Sequence, residues 1–230
     1  MFVAGNATMR LAAQTAAAAN AEPPASCSLC PRLAAYRNAN CEKHPDWFNA
    51  PVPSFGTLDA RLLVLGLAPG VSGANRTGRP FTGDYAGDLL YATLLKFGFA
   101  RGTYAASIDD GLSLVDCRIT NAVRCVPPEN KPTPEESQTC RTFLGATLEA
   151  MSRLKVIVAL GRIAHDSGLR ALNVKASQAP FAHGAEHALP KGITLIDSYH
   201  CSRYNTNTRR LTTEMFENVF DQARRITAKA

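Results

Sequence analysis

The chain has 230 residues, 46% of them hydrophobic, which is enough to bury the core of a single α/β domain. No run approaches the roughly 20 apolar residues of a membrane helix, so we expect a soluble protein. A formal charge of +6 favours an acidic partner such as a nucleic acid, although many enzymes carry a similar excess. Seven cysteines, an odd number, fit a reducing compartment better than a disulfide framework.

The chain opens with an Ala-rich stretch that is less apolar than the core of a secretion signal and lacks a basic start. We therefore predict a flexible tail over residues 1–22 and one folded domain over residues 23–230. A cleaved targeting peptide is the alternative interpretation of the tail.

Apolar runs alternate with stretches of helical spacing along the rest of the chain. The runs are Arg61–Gly66, Cys117–Val123, Lys155–Gly161 and Ile193–Ser198, and the helical stretches are Leu89–Phe97, Pro134–Arg153, Ile163–Leu172 and Thr212–Ile226. This alternation predicts a three-layer α/β/α fold, with a parallel sheet between two layers of helices. Thr212 is predicted to cap the last helix.

Ligands of open α/β sheets bind beyond the carboxyl ends of the strands, and polar loops follow three of the predicted strands. The loop after the first strand, residues 66–84, is rich in glycine but has neither the dinucleotide nor the triphosphate motif. In this loop Phe81 can stack on a planar ligand or fill the core. Asp84 can take part in chemistry or cap the next helix.

The turn after the fourth strand carries His200, whose place at a strand end fits a functional role as well as a structural one. A basic, hydrogen-bonding patch with one aromatic ring follows it, which suits phosphate contact and base stacking but also a solvated loop. Its members are Arg203, Tyr204, Asn205, Arg209 and Arg210. A catalytic zinc on His165, His183 and His187 is disfavoured, because the spacing of His183 and His187 lacks a helix signal and a nearby third ligand.

Four cysteines form two groups, Cys27 with Cys30 and Cys125 with Cys140. Such a set can hold zinc or an iron–sulfur cluster, because both take four thiolates. The wide second pair favours iron–sulfur, since structural zinc usually takes two short pairs. Buried cysteines without a ligand are the remaining interpretation.

Four segments closely resemble the iron–sulfur uracil-DNA glycosylases of the type-b (fifth) family, and the resemblance extends from about Cys27 to the C-terminal helix. They are Gly66–Gly70, Asn75–Asp84, Asn121–Pro128 and Ser198–Arg203. The resemblance implies a four-stranded parallel sheet and a 4Fe–4S cluster on the four grouped cysteines. It also implies excision of uracil from DNA, together with other deaminated bases such as hypoxanthine and xanthine.

The resemblance also implies roles for single residues. Related families carry Glu or Asp where this chain has Leu67, so the usual water-activating acid is missing and Asp84 is the candidate that replaces it. His200 is expected to stabilise the leaving base, and Asn130 is a further candidate catalytic residue near the site. The implied base-binding residues are Gly66, Ala68, Phe81 and Asn121, and the implied DNA-binding residues are Arg76, Ser202, Arg203, Tyr204 and Asn205. Cys201 departs from the proline that is frequent in related motifs.

We therefore expect a monofunctional glycosylase, because no lysine in these motifs is placed as a Schiff-base nucleophile. It is expected to act as a monomer on DNA in the cytoplasm, at the nucleoid, and not at a membrane. Two alternatives come from other classes: a non-catalytic module that binds damaged DNA, and an iron–sulfur redox protein. The redox alternative is disfavoured, because the grouped cysteines lie outside the loops of Asp84 and His200.

Overall fold

The computed structural model describes residues 15–229, which fold around a mixed sheet. The strands in chain order are β1 (Leu62–Gly66), β2 (Ala100–Arg101), β3 (Ser113–Leu114), β4 (Cys117–Asn121), β5 (Val156–Leu160), β6 (Glu186–Leu189) and β7 (Ile193–Ser198). The five-stranded sheet has the order β4-β1-β5-β7-β6, and β2 pairs separately with β3. In the large sheet β4, β1, β5 and β7 are parallel, whereas β6 is antiparallel to β7.

Helices cover both faces of this sheet. They are α1 (Pro31–Lys43), α2 (Ala74–Thr77), α3 (Tyr85–Lys96), α4 (Pro134–Ala150), α5 (Arg162–Ala171), α6 (Arg203–Asn207) and α7 (Thr213–Ala228), and residues 15–19 are also helical. Helices α3 and α7 pack on the face of Leu62 and Val64, and α4 and α5 pack on the face of Leu63 and Leu65. Successive strand residues point to opposite faces, so β1 supplies both cores. This confirms the three-layer fold. Within residues 15–229, no helix has the length and apolar character needed to cross a bilayer.

The four predicted strands are confirmed, and the sheet has one strand more than predicted. Every residue of β5, which reads Val-Ile-Val-Ala-Leu, is buried, as expected for a parallel strand that is covered on both faces. The additional strand is β6 at the sheet edge, where Glu186 and Ala188 are exposed. An edge strand of this composition lacks the continuous apolar run that reveals a central strand.

Side-chain caps determine where two important helices begin. The Thr212 hydroxyl accepts a hydrogen bond from the N–H of Met215 (3.1 Å) at the start of α7, which confirms the predicted cap. Asp84 caps α3 in the same way by accepting from the N–H of Gly87 (3.2 Å). Each cap of this kind stabilises a helix by about 1 kcal/mol. Asp84 is thus held in a fixed position at the amino end of α3.

The N-terminal segment contacts the domain before residue 23. Residues 1–14 of the predicted tail lie outside the described residues. Ala21 is buried, and the Glu22 carboxylate pairs with Arg118 and with Arg124, each at 2.7 Å. Residue 22 is therefore held against β4 and the loop that follows it.

Candidate active site

A cavity of about 500 Å³ opens at the carboxyl ends of β1, β4 and β7, where ligands of such sheets bind. Eight of the predicted site residues line it: Ala68, Phe81, Asp84, Asn121, Asn130, His200, Ser202 and Arg203. The other four do not line it, namely Gly66, Arg76, Tyr204 and Asn205. The structure thus brings the three predicted catalytic side chains, Asp84, His200 and Asn130, to a single cavity.

Asp84 caps a helix and at the same time presents a carboxylate to the cavity. One oxygen, Oδ1, accepts the hydrogen bond from the Gly87 N–H. A Cβ atom at Gly73 would lie 2.5 Å from the other oxygen, Oδ2, so a glycine is needed there. Partial burial raises the pKa of Asp84, and hydrogen bonds from the N–H groups of Gly87 and Ala86 oppose the rise. The outcome is an oriented carboxylate that can act as a base or offset a positive charge.

Phe81 and Asn121 lie side by side in the cavity wall. Phe81 is 6% exposed and has a φ of 55°, a left-handed conformation that is unusual for a bulky residue. A Cβ atom at Gly66 would lie 2.6 Å from Phe81 Cζ and would collide with Asn121 Oδ1, which explains the glycine at the end of β1. Asn121 Oδ1 is buried without a hydrogen-bond partner in the described chain. A buried, unpaired acceptor in a cavity wall is expected to meet a donor on the ligand.

A buried ion pair supports the backbone that carries Phe81. The Arg79 guanidinium pairs with Asp110 at 2.6 Å and lies against the rings of Tyr91 and Tyr104. The hydroxyls of these tyrosines donate to the carbonyl oxygens of residues 80 and 81, at 2.6 and 3.3 Å. The hydrogen bonds from Arg79 hold the pKa of Asp110 well below its usual range. Sequence reasoning missed this support, because Asp110 lies 31 positions from Arg79 and no local pattern connects them.

His200 follows β7 and faces Phe81, with 6.1 Å between the ring centroids. Its carbonyl oxygen accepts a hydrogen bond from the Asn205 side-chain amide (2.8 Å), which ties the turn after β7 to α6. Burial lowers the pKa of His200 to about 4, so the imidazole is neutral near pH 7. The next residue, Cys201, is buried, and its thiol donates to the Ala86 carbonyl oxygen (3.5 Å). The cysteine thus links this turn to α3.

A cluster of histidine and aspartate side chains lies behind the end of β7. The buried Asp197 carboxylate lies 2.6 Å from His165 Nδ1 and 3.0 Å from His187 Nε2, and it accepts a backbone N–H. The three candidate ligand atoms lie within 4.8 Å of one another, close enough for a metal ion. Both carboxylate oxygens and both His165 nitrogens already have protein partners, so the cluster is complete without a metal. His183 lies apart from it and accepts a hydrogen bond from the Tyr199 N–H.

Polar and aromatic side chains surround the mouth of the cavity. The Ser202 hydroxyl caps α6 by accepting from the Asn205 N–H (3.4 Å). The Arg203 guanidinium lies 5.3 Å from the centre of the Tyr85 ring, so the amino ends of α3 and α6 meet there. Tyr204 is 72% exposed. Sequence reasoning assigned no role to Tyr85, whose only local signal is its place directly after Asp84.

Asn130 also lines the cavity, from the short turn Pro128–Asn130. Its φ is 57° and that of Glu129 is 54°, so two consecutive residues that are not glycine adopt the left-handed conformation. Backbone strain of this kind is concentrated at functional sites. The observation favours a role for Asn130 at the site.

The four grouped cysteines converge although they come from distant parts of the chain, and they line a small cavity together with apolar side chains. None of them forms a disulfide. Arg37 donates to Cys125 Sγ (3.1 Å) and to the Cys27 carbonyl oxygen (2.8 Å), and the Arg124 N–H donates to Cys140 Sγ (3.3 Å). Burial raises the pKa of Cys125 to about 11 and that of Cys140 to about 12. These thiols are therefore poor nucleophiles in the absence of a metal.

The fold and the site define a class of enzyme. The family model of the uracil DNA glycosylase superfamily matches residues 53–224, a stretch that contains the whole sheet and both Asp84 and His200. The chain therefore belongs to the uracil-DNA glycosylase superfamily.

Comparison with individual relatives places the chain within this superfamily. It is 46% identical over 207 residues to a type-5 uracil-DNA glycosylase of Thermus thermophilus, covering 87% of this chain and 94% of that protein. A type-5 uracil-DNA glycosylase of Pyrobaculum aerophilum is 41% identical over 202 residues, covering 86% of this chain and 88% of that protein. A type-4 uracil-DNA glycosylase of Thermotoga maritima is 39% identical, but only over 125 residues, 54% of this chain and 56% of that protein. The type-5 group is thus the branch to which the chain belongs, which confirms the resemblance found in the sequence.

Proposed function

We propose that this chain is a monofunctional uracil-DNA glycosylase, which hydrolyses the N-glycosidic bond of uracil in DNA during base-excision repair. The observation that carries the proposal is the arrangement of Asp84, His200, Phe81 and Asn121 in one cavity. The activity named for the type-5 relatives supports it. Among the described residues that line the cavity there is no lysine, so we expect an abasic site in an intact strand as the product.

Asp84 stabilises the sugar and receives a proton from water. When the N-glycosidic bond breaks, its electron pair goes to the base and the deoxyribose acquires oxocarbenium-like positive charge. The Asp84 carboxylate offsets this charge. Water then forms a bond to the anomeric carbon, and its proton passes to the carboxylate, in the role that Leu67 cannot perform. The cap on α3 keeps the carboxylate in place during both steps.

His200 stabilises the base as it leaves. The imidazole is neutral, because burial lowers its pKa to about 4. A neutral imidazole can donate its N–H to the carbonyl oxygen on which negative charge collects, without transferring the proton. The base therefore departs as an anion and takes its proton afterwards from solvent.

Phe81 and Asn121 recognise the base after it has left the duplex, since a stacked base cannot be reached. The Phe81 ring stacks on the base, and Asn121 Oδ1 accepts the imide N–H of uracil. Ala68 lines the cavity, and Gly66, which lacks a Cβ atom, lets Phe81 and Asn121 pack against the end of β1. We extend the proposal to hypoxanthine and xanthine, which carry the same N–H beside a carbonyl group. The volume of about 500 Å³ is within the usual range for small-molecule sites.

Residues around the mouth hold the DNA strand. Ser202, Arg203 and Asn205 contact phosphates, and Arg203 or the exposed ring of Tyr204 fills the gap left by the base. Asn130 is a second group that can orient water or the sugar. We expect a monomer that acts on chromosomal DNA in the cytoplasm, at the nucleoid.

Cys27, Cys30, Cys125 and Cys140 would hold a 4Fe–4S cluster. A single zinc ion with Zn–S bonds of about 2.3 Å would bring its sulfur atoms to about 3.8 Å from one another. The wide sequence spacing of Cys125 and Cys140 supports a polynuclear cluster over zinc, because structural zinc usually takes two short cysteine pairs.

The cluster would supply a structural link rather than chemistry at the base. Its thiolates would join the N-terminal segment to the loop after β4 and to α4. The buried Arg37 guanidinium, which donates a hydrogen bond to Cys125 Sγ, would offset the negative charge of the thiolates. Iron analysis and the visible absorption of purified protein test this part of the proposal. Cys125→Ser should lower the iron content, and full iron content would contradict the ligand assignment.

Base release from defined duplexes tests the proposed activity. Purified protein is incubated with DNA that contains a single uracil or hypoxanthine, and abasic sites are then cleaved with alkali. Strand breaks that require alkali are expected. Breaks without alkali would contradict a monofunctional enzyme. Binding to such DNA without release of either base would favour the alternative, a non-catalytic module for damaged DNA.

A further inference from the structure

A second cavity lies beside the active site and shares one of its walls. It has a volume of about 560 Å³, and its lining includes Asp46, Trp47, Phe48, Arg76, Thr77 and Ile108. We call it the outer groove. Residues 70–74 line the active-site cavity, whereas residues 76–77 of the same loop line the outer groove. The loop that leads to the catalytic carboxylate therefore separates the two cavities.

The outer groove presents a fixed aromatic ring to solvent. Phe48 is 42% exposed and Ile108 is 55% exposed. The Phe48 ring covers Gly78, where a Cβ atom would lie 2.8 Å from its Cδ2, and the Phe48 N–H donates to the Arg76 carbonyl oxygen (3.0 Å). These contacts hold the ring in place without burying it. Exposed apolar groups that cluster in a groove are typical of a binding surface.

Arg76 adds a positive charge to the same groove, and its side chain has no hydrogen-bond or ion-pair partner among the described residues. Arg76 is exposed, and it forms none of the ion pairs found in residues 15–229. Its Nη2 lies 2.9 Å from the position of a Cβ atom at Gly83, the residue before Asp84. The guanidinium is thus placed between the outer groove and the loop of the catalytic carboxylate. A cation beside an exposed flat ring matches a nucleotide, in which a phosphate lies beside a base.

We propose that the outer groove binds a nucleotide of the DNA strand that neighbours the extruded base. The base of this nucleotide stacks on Phe48, and its phosphate pairs with Arg76. The proposal rests on the proposed function, because it takes DNA as the ligand. The loop of residues 70–84 is then in contact with DNA on both sides, with the damaged base in the active-site cavity and the neighbouring nucleotide in the outer groove.

Trp47 allows a direct measurement, because it is the single tryptophan of the chain and lines the outer groove. Single-stranded oligonucleotides with a central abasic analogue are lengthened on one side at a time, and the dissociation constant and Trp47 emission are recorded. We expect the emission to change, and the affinity to rise, when one arm becomes long enough to reach the groove. Stacking contributes about 1–3 kcal/mol per base, so Phe48→Leu should reduce this gain in affinity about tenfold. Phe48→Tyr should retain it.

Charge is tested with Arg76→Gln, which should weaken the salt dependence of binding for the long arm. Lys155→Gln is the matched control, because Lys155 is exposed and precedes β5, at the opposite end of the strands from the cavities. Unchanged Trp47 emission at saturating long DNA, or a full gain in affinity with Phe48→Leu, would overturn the proposal. Release of uracil is scored separately: release without a change in emission counts against the outer groove alone, and a change in emission without release counts against the proposed function alone.

Discussion

The substitution Asp84→Asn separates the chemistry of the cavity from the stability of the fold. Asparagine keeps the side-chain oxygen that accepts from the Gly87 N–H, and it caps helices as well as aspartate does. The free energy of unfolding should therefore change by less than about 0.5 kcal/mol. The carboxylate charge is lost, and removal of a general base reduces rates by about 10²–10⁴, or about 2.7–5.4 kcal/mol of activation free energy. Asp84→Ala loses the cap as well and should cost about 1 kcal/mol of stability.

Single-turnover release of uracil measures the rate, and thermal unfolding followed by circular dichroism measures the stability. Asp88→Asn is the matched control, because Asp88 is exposed in the first turn of the same helix and should keep the full rate. Only the ionised form of Asp84 can act, and partial burial raises its pKa, so the wild-type rate should fall as the pH drops through that raised value. Asp84→Asn should lack this acid limb. If Asp84→Asn keeps more than about a tenth of the wild-type rate, Asp84 is not the base.

Three other outcomes test the surroundings of Asp84. Because burial lowers the pKa of His200 to about 4, the pH profile of uracil release should show no step near the usual histidine value of about 6.5, and a step there that His200→Asn abolishes would contradict a neutral imidazole. Gly66→Ala would place a Cβ atom 2.6 Å from Phe81 Cζ and displace the ring that stacks on the base, so KM for uracil-containing DNA should rise. An unchanged KM would refute the close packing of Gly66 against Phe81. Arg79→Met leaves the buried Asp110 carboxylate unpaired and should lower the free energy of unfolding in urea by about 3–5 kcal/mol. The pairing lowers the folded-state pKa of Asp110, so this difference should be complete at neutral pH and shrink as acid protonates the carboxylate; a difference that does not depend on pH would argue against the ion pair.

The central sheet could be predicted because parallel strands covered on both faces must be apolar throughout, as β5 is. The edge strand β6 has only one neighbour and carries exposed residues, so Glu186 and His187 are tolerated there and the strand leaves no apolar signal. Helix α2 is four residues long, too short to show a helical period. Elements at the edge of the sheet and very short helices are thus harder to predict from the sequence than the buried central strands.

The site was predictable where its residues follow a strand in a short polar stretch, as Asp84 and His200 do. Contacts between distant segments were not predictable, since neither Asp110 beside Arg79 nor Ile108 in the outer groove belongs to a local pattern. Asp84 also shows why the choice between helix cap and catalytic residue could not be made from the sequence. The two roles use different oxygens of one carboxylate, so they do not exclude each other.

Glu22 determines how short a recombinant form of this protein can be. Its carboxylate neutralises Arg118 and Arg124, two arginines whose side chains are 8% and 1% exposed. A truncated protein that starts between Glu22 and Cys27 would keep every grouped cysteine but leave both cations without a counter-charge, and each unpaired buried charge costs about 3–5 kcal/mol. We therefore expect the smallest stable unit to include Glu22, and an affinity tag is best attached further toward the N-terminus.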